Sequence, residues 1–222
     1  MLSRMAVRVR SRSLSETVNE YFGGEKHPEH GYTTLYRYRL ERIWDRGAAP
    51  LLVIGCNPST ATAEKLDPTI MKVYNIARDN DYGGIIMCNL YAYRGTRPDD
   101  MKNAARNISQ NNQDGFAYVI GPHNEAQLVE AAALVEDVVF AYGNIAVEGW
   151  TNVQGMMDNV IVSGNFYARA YKDRVIQLMR QLGKNLFAFE TTAAGNPMHP
   201  LPHDAELKNQ IRNSEMDEWK IW

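Results

Sequence analysis

Residues 51–58 read Leu-Leu-Val-Ile-Gly-Cys-Asn-Pro, and this stretch decides the fold class. An uninterrupted aliphatic run of this length is the pattern of a strand covered on both faces rather than one. It stops at Gly55 and passes into a polar segment, Cys56-Asn57-Pro58-Ser59. A strand buried on both sides needs helices above and below it, so helices should alternate with further strands of the same kind.

The flanking sequence follows that expectation. Asp67 and Pro68 open a helical spacing (Ile70, Val73, Tyr74, Ala77) over Pro68 to Asn80, with Asp67 as N-cap and Pro68 in the first helical position. Gly84 to Leu90 and Val138 to Tyr142 are further apolar runs, and Leu186 to Phe189 is a fourth. Helices are predicted over Pro98 to Asn107, Asn124 to Val135, about Phe166 to Leu182, and from near Asp204. Upstream, Tyr36, Tyr38 and Leu40 alternate with Arg37, Arg39 and Glu41, the period of a strand with one face in water. The predicted fold is a three-layer α/β/α sandwich around a mostly parallel central sheet. Residues 31–222 form its single domain, preceded by a basic, flexible segment over residues 1–30 that carries Arg4, Arg8, Arg10 and Arg12.

Bulk properties narrow the class. At 222 residues, 45% of them apolar and 23% charged, the chain is of a size and composition to bury one large core. No apolar run reaches membrane-spanning length, so no membrane partner is expected. Cys56 and Cys88 sit in apolar strands and read as buried thiols of a cytoplasmic protein. Two cysteines without His-x-His or Cys-x-x-Cys spacing predict no metal site, and no cofactor is expected. The net charge of −2 is unevenly spread: residues 107–168 hold seven acids and no Lys or Arg, leaving all 24 basic residues to face 19 acids elsewhere. A positive face for phosphates and a merely solvated acidic flank both fit this distribution.

In open parallel sheets ligands bind beyond the carboxyl ends of the strands. Those ends are Cys56-Asn57-Pro58-Ser59, Asn89-Leu90-Tyr91-Ala92-Tyr93-Arg94, Gly143-Asn144 and, after a short loop, Met198-His199-Pro200-Leu201-Pro202. Gly55-Cys56-Asn57-Pro58, Asn89 closing an apolar strand, Tyr142-Gly143, and His199-Pro200-Leu201-Pro202 occur in the order found in the uracil-DNA glycosylase superfamily. The chain resembles that superfamily over roughly Leu51 to Asp204, and in particular a bacterial and phage branch of it.

The resemblance implies a DNA glycosylase that hydrolyses an N-glycosidic bond and leaves an abasic site, with DNA as partner and no obligatory protein partner. By that resemblance Asn57 holds the attacking water, His199 donates a hydrogen bond to the leaving base, and Asn89 reads the flipped base. Cys56, Ser59 and Tyr93 would line the base pocket, and Asp67 would supply the negative charge that Asn57 lacks. Arg94 and Arg97 are candidate phosphate contacts, and Leu201 or Met198 the wedge into the base stack, since His203 stands where many relatives have a leucine. Ser59 occupies the position of a bulky Tyr in uracil-specific members. This implies a 5-modified pyrimidine, such as glucosylated hydroxymethylcytosine in phage DNA. Structural alternatives stand beside each role: an Asx-turn for Asn57, loop or helix capping for His199, backbone satisfaction for Asn89, N-capping for Asp67, and solvated loop side chains for the arginines. Two other functions fit the same residues, an N-glycosidase of free modified nucleosides or nucleotides and a modified-base reader that cleaves nothing.

Overall fold

A computed structural model describes residues 6–13, 16–25, 34–59, 67–201 and 217–218. Its strands are β1 (Ala6–Ser13), β2 (Glu16–Gly23), β3 (Tyr36–Ile43), β4 (Pro50–Gly55), β5 (Gly84–Asn89), β6 (Asp137–Phe140), β7 (Gln154–Met157), β8 (Val160–Ser163), β9 (Asn185–Ala188) and β10 (Asp217–Glu218). The helices are α1 (Pro68–Asp79), α2 (Pro98–Gln110), α3 (Gly115–Ile120), α4 (Asn124–Ala132) and α5 (Gly164–Gln181).

Eight strands form one sheet in the order β1-β2-β3-β5-β4-β6-β9-β10. The four aliphatic runs make its parallel centre, β5-β4-β6-β9. Both flanks are antiparallel, so the sheet is mixed rather than mostly parallel. The difference comes largely from the N-terminal region. Expected as a flexible arm, it contributes β1 and β2, and Val18 of β2 is buried in the core.

β4 shows why helices lie on both sides. Leu51 and Val53 pack with Ile70, Val73, Ile76 and Ala77 of α1. Leu52 and Ile54 face the opposite way and share a larger cluster with residues of α2 to α5, among them Met101, Phe116, Leu128 and Val175. At roughly 25 cal/mol per Å² of apolar area removed from water, these two clusters supply the main stabilisation. α1 begins as predicted, with the Asp67 carboxylate accepting from the Ile70 amide at 2.7 Å.

β3 departs from its half-exposed pattern. Arg37, Arg39, Glu41 and Arg42 are all buried, because β3 lies between β2 and β5 with packed elements on both faces. Such charges stay buried only when paired. Arg39 pairs with Glu41 at 3.1 Å and its guanidinium lies 3.7 Å from the centre of the Tyr21 ring, while Arg42 pairs with Glu16 at 3.4 Å. Asn19 donates to Glu41 at 2.8 Å.

The Gly- and Asn-rich stretch after β6, read as a polar loop, contains the β7–β8 hairpin. Its turn residues Asp158 and Asn159 take φ of 49° and 63°, the left-handed values that two-residue hairpin turns require.

Burial pushes the thiols of Cys56 and Cys88 up to about 12, and the Tyr38 phenol also to about 12. An unfolded chain would ionise these groups first, releasing protons that the folded chain retains. Stability is therefore present below the ordinary thiol range and falls as pH rises toward the folded values. Urea denaturation should give a nearly constant unfolding free energy to about pH 8 and a decline from about pH 9 upward; a flat profile to pH 11 would contradict this burial.

Candidate functional site

The connections that leave the central strands diverge. β4 passes through α1 on one face of the sheet to β5, whereas β6 passes through α5 on the other face to β9. A crevice opens where such loops part, at the carboxyl ends of β4 and β6. A cavity of about 600 Å³ occupies this place, within the range of small-molecule and cofactor sites. Asn57, Asn89 and His199, which lie on three separate segments of the chain, all line it, as do Cys56, Ser59, Asp67, Met198 and Leu201.

The tips of β4 and β5 form one wall. Gly55 lies opposite Asn89 in the parallel register. A Cβ at Gly55 would stand 2.8 Å from Asn89 Oδ1, so the glycine leaves the space into which the Asn89 side chain leans. The backbone of Asn89 is fixed from behind. Buried Asn124, at the start of α4, donates to the carbonyls of Asn89 and Leu90 at 3.0 and 2.9 Å. The Asn57 amide nitrogen donates to the Gly95 carbonyl at 3.3 Å and to Pro58 at 3.4 Å. Its side-chain oxygen is left as the acceptor available to a ligand.

The opposite wall comes from the β6 tip and residues 190–201. Gly143 takes a φ of 67° with its Cα beside His199, where a built Cβ would lie 3.7 Å from the His199 Cβ. Its amide donates to the Pro197 carbonyl at 2.9 Å. Asn144 Oδ1 accepts from Thr192 at 2.7 Å and from Asn196 at 2.9 Å, which ties the two loops together. Below them, Tyr91 and Trp150 both donate to the Ala146 carbonyl, at 2.8 and 2.9 Å. His199 Nδ1 lies 3.1 Å from the Leu201 amide nitrogen and 3.2 Å from the Leu201 carbonyl oxygen. When Nδ1 accepts from that amide, the neutral ring carries its proton on Nε2.

Asp67 uses both carboxylate oxygens. One caps α1, and the other accepts from Ser59 Oγ at 2.5 Å. Ser59 is thereby drawn toward the α1 N-terminus, and Asp67 serves as a positioning group as well as a cap.

Several predicted site residues sit elsewhere. Tyr93, expected in a base pocket, is buried against Tyr118, ring centres 5.9 Å apart, and is not among the residues that line the cavity. Arg94 is also buried, donating to Thr34 at 3.4 Å with its guanidinium 5.3 Å from the centre of the Phe22 ring; it packs β2 rather than meeting phosphate. Arg97 is exposed beside the rim formed by Thr96 and Pro98, and its amide is capped by Asp100 at 2.9 Å. Met198 is buried with the α1-side core, which makes it a wall of the cavity and not a protruding wedge. His203 and the helix expected near Asp204 lie outside the described residues.

Sequence reasoning missed Arg37 and gave no role to Asn144, which it had placed at a strand end; both line the cavity. The signal for Asn144 was its place at the β6 tip. Arg37 had none, because its alternating strand pattern indicated solvent. No group of three or more His, Cys, Asp or Glu arranged to hold a metal ion occurs among the described residues, and no described helix is long and apolar enough to cross a membrane.

Gly55→Ala isolates the site from the fold. The added methyl meets the end of one side chain and not backbone, so thermal stability should change little. Displacement of Asn89 should weaken binding of any ligand in the cavity by about tenfold or more, since misplacing one buried hydrogen-bonding group typically costs about 1–3 kcal/mol. Undiminished binding in Gly55→Ala would remove Asn89 from the recognition surface.

No curated protein and no solved structure matches the chain. A family described as Protein of unknown function (DUF1643) matches residues 37–201, a span that begins at Arg37, ends at Leu201 and includes every described residue of the cavity wall. The chain belongs to this DUF1643 family.

Proposed function

We propose that this protein is a DNA glycosylase of the uracil-DNA glycosylase type, which hydrolyses the N-glycosidic bond of a flipped, 5-modified pyrimidine. The observation that carries the reading is the meeting of Asn57, Asn89 and His199, from three separate segments, in one cavity at the strand ends. In the proposed reaction, water held by the Asn57 carbonyl oxygen forms a bond to C1′ of the sugar. The C1′–N bond breaks, and its electron pair leaves with the base. The Nε2–H tautomer of His199 supports that negative charge by donating to a base oxygen; the attacking water gives up its proton to solvent, and solvent protonates the departed base. Preorganised donors of this kind act where charge develops, and losing one typically slows reaction about 10²–10³-fold. Asn89 pairs with the edge of the extruded base. An amide at position 57 cannot accept the water's proton, so a slow turnover is expected.

Duplex DNA carrying 5-methylcytosine, 5-hydroxymethylcytosine, glucosylated hydroxymethylcytosine or uracil, assayed for abasic sites, tests the reading. Abasic product is expected from the substituted cytosines and little from uracil. Asn57→Ala and His199→Ala should each lower the rate about a hundredfold with circular dichroism unchanged; rates near wild type in both would remove these residues from the chemistry. Ser59→Tyr should abolish release of the bulky bases while leaving DNA binding intact, because overlap in a pocket costs more than a contact gains. Equal rates on bulky bases in that variant would refute the open position at Ser59.

One observation favours a second reading, an N-glycosidase of free nucleosides. Burial of Arg94 removes one of the two candidate phosphate contacts. Binding to long DNA that weakens steeply with salt supports the first reading; salt-independent cleavage of free nucleosides supports the second.

A further inference from the structure

The β6 tip carries a donor that the roles of Asn57, Asn89 and His199 leave unused. Asn144 is half-buried and lines the cavity. Gly143, its neighbour in the chain, stands against His199, with a built Cβ 3.7 Å from that of the histidine. The acceptors of Asn144 are all engaged. Its backbone carbonyl accepts from the amides of Val147 and Glu148, each at 3.0 Å. Its side-chain oxygen accepts from Thr192 at 2.7 Å and from Asn196 at 2.9 Å, which fills both lone pairs of an amide oxygen.

These bonds fix the orientation of the amide, because the Asn196 nitrogen can donate but not accept. The Asn144 nitrogen therefore lies on the side away from Thr192 and Asn196, and among the described residues Nδ2 has no hydrogen-bond partner. It is the side-chain atom left to meet a ligand. An N–H donor takes acceptors only, so it can neither bind a metal ion nor serve as a base. Held in place before a ligand arrives, it needs no reorganisation when charge develops. The clamp joins the β6 tip to residues 192–196, and the Gly143 amide bonds Pro197 at 2.9 Å, so Asn144 and His199 are positioned by one frame.

We infer that Asn144 is a further catalytic residue, a second donor beside His199: its Nδ2–H donates to an acceptor of the leaving base and steadies the electron pair that the broken C1′–N bond leaves there. The amide keeps its proton throughout, and the base takes its proton from solvent. The reaction rests on the glycosylase reading, whereas the donation requires only a ligand with an acceptor at the β6 tip.

Asn144→Asp separates the donor from the clamp. A carboxylate oxygen still accepts from Thr192 and Asn196, while the nitrogen becomes an oxygen that repels negative charge. Thr192→Val does the reverse, removing one bond of the clamp and keeping Nδ2. Both variants and wild type are assayed for single-turnover release of base from duplex DNA carrying glucosylated hydroxymethylcytosine, and checked by thermal melting. Asn144→Asp should lower the rate about a hundredfold, the usual cost of one lost transition-state donor, and Thr192→Val less than tenfold. A loss below tenfold in Asn144→Asp, or one no greater than that in Thr192→Val, overturns the inference and leaves the glycosylase reading standing. If Asn144→Asp does not fold, Asn144→Ala, which loses donor and clamp, is set against Thr192→Val/Asn196→Ala, which loses the clamp alone. The first must then be at least tenfold slower, and equal rates refute the role. Should wild type release no base, the glycosylase reading fails, and equilibrium dialysis with free 5-hydroxymethyl-2′-deoxycytidine decides. Binding at least tenfold weaker in Asn144→Asp upholds the donor; a smaller change, or no binding to wild type, refutes it.

Discussion

Everything in the cavity depends on the burial of β4 from both sides. Leu51 and Val53 need an apolar cover on one face, Leu52 and Ile54 on the other, and no single helix supplies both. The chain meets this need by sending α1 to one face and α2 to α5 to the opposite face. The connections that do so part at the carboxyl ends of β4 and β6. What the hydrophobic effect imposes on one strand thus becomes a crevice bordered by backbone turns, into which Asn57, Asn89 and His199 are delivered. The supporting bonds are correspondingly local: Asn124 fixes the β5 end, Tyr91 and Trp150 hold the Ala146 carbonyl, and Asn144 ties the β6 tip to residues 192–196.

The parts legible in the sequence are those with a strong period or a local chemical rule. Continuous aliphatic runs marked the four parallel strands, and Asp67-Pro68 marked the start of α1, because these signals depend on neighbours in the chain. Asn57 and Asn89 were legible because they stand at the ends of such strands, and His199 because it lies in the Pro-rich segment after the last of them. Arg37 was not, since β3 becomes an inner strand only when β2 pairs along its edge, and β2 itself carries no aliphatic run. Arg94 failed for the reverse reason: polar context suggested water, while Thr34 and Phe22, sixty and more residues away in the chain, enclose it. The hairpin β7–β8 was hidden because a turn built on Asp158-Asn159 looks, in composition, like any polar loop.

Inward-facing charge is the second theme. Arg37, Arg39 and Arg42 of β3 all point into packed surroundings, each with a carboxylate close by. Buried pairs of this sort contribute little net stability, and removing one partner is far more damaging than replacing both. Arg39 and Arg42 pair away from the cavity. Arg37 differs by reaching its wall. Arg97, beside the cavity rim, is by contrast exposed.

The central claim is that a base extruded from DNA enters this cavity between Asn57, Asn89 and His199. The most direct measurement is a crystal structure with duplex DNA carrying one glucosylated hydroxymethylcytosine on a 2′-fluorinated sugar, whose fluorine disfavours the cationic transition state and so preserves the bond. The account predicts the nucleotide flipped from the stack, its base edge against Asn89 and its C1′ facing Asn57. A base left stacked in the duplex, or DNA bound with the cavity empty, would contradict it.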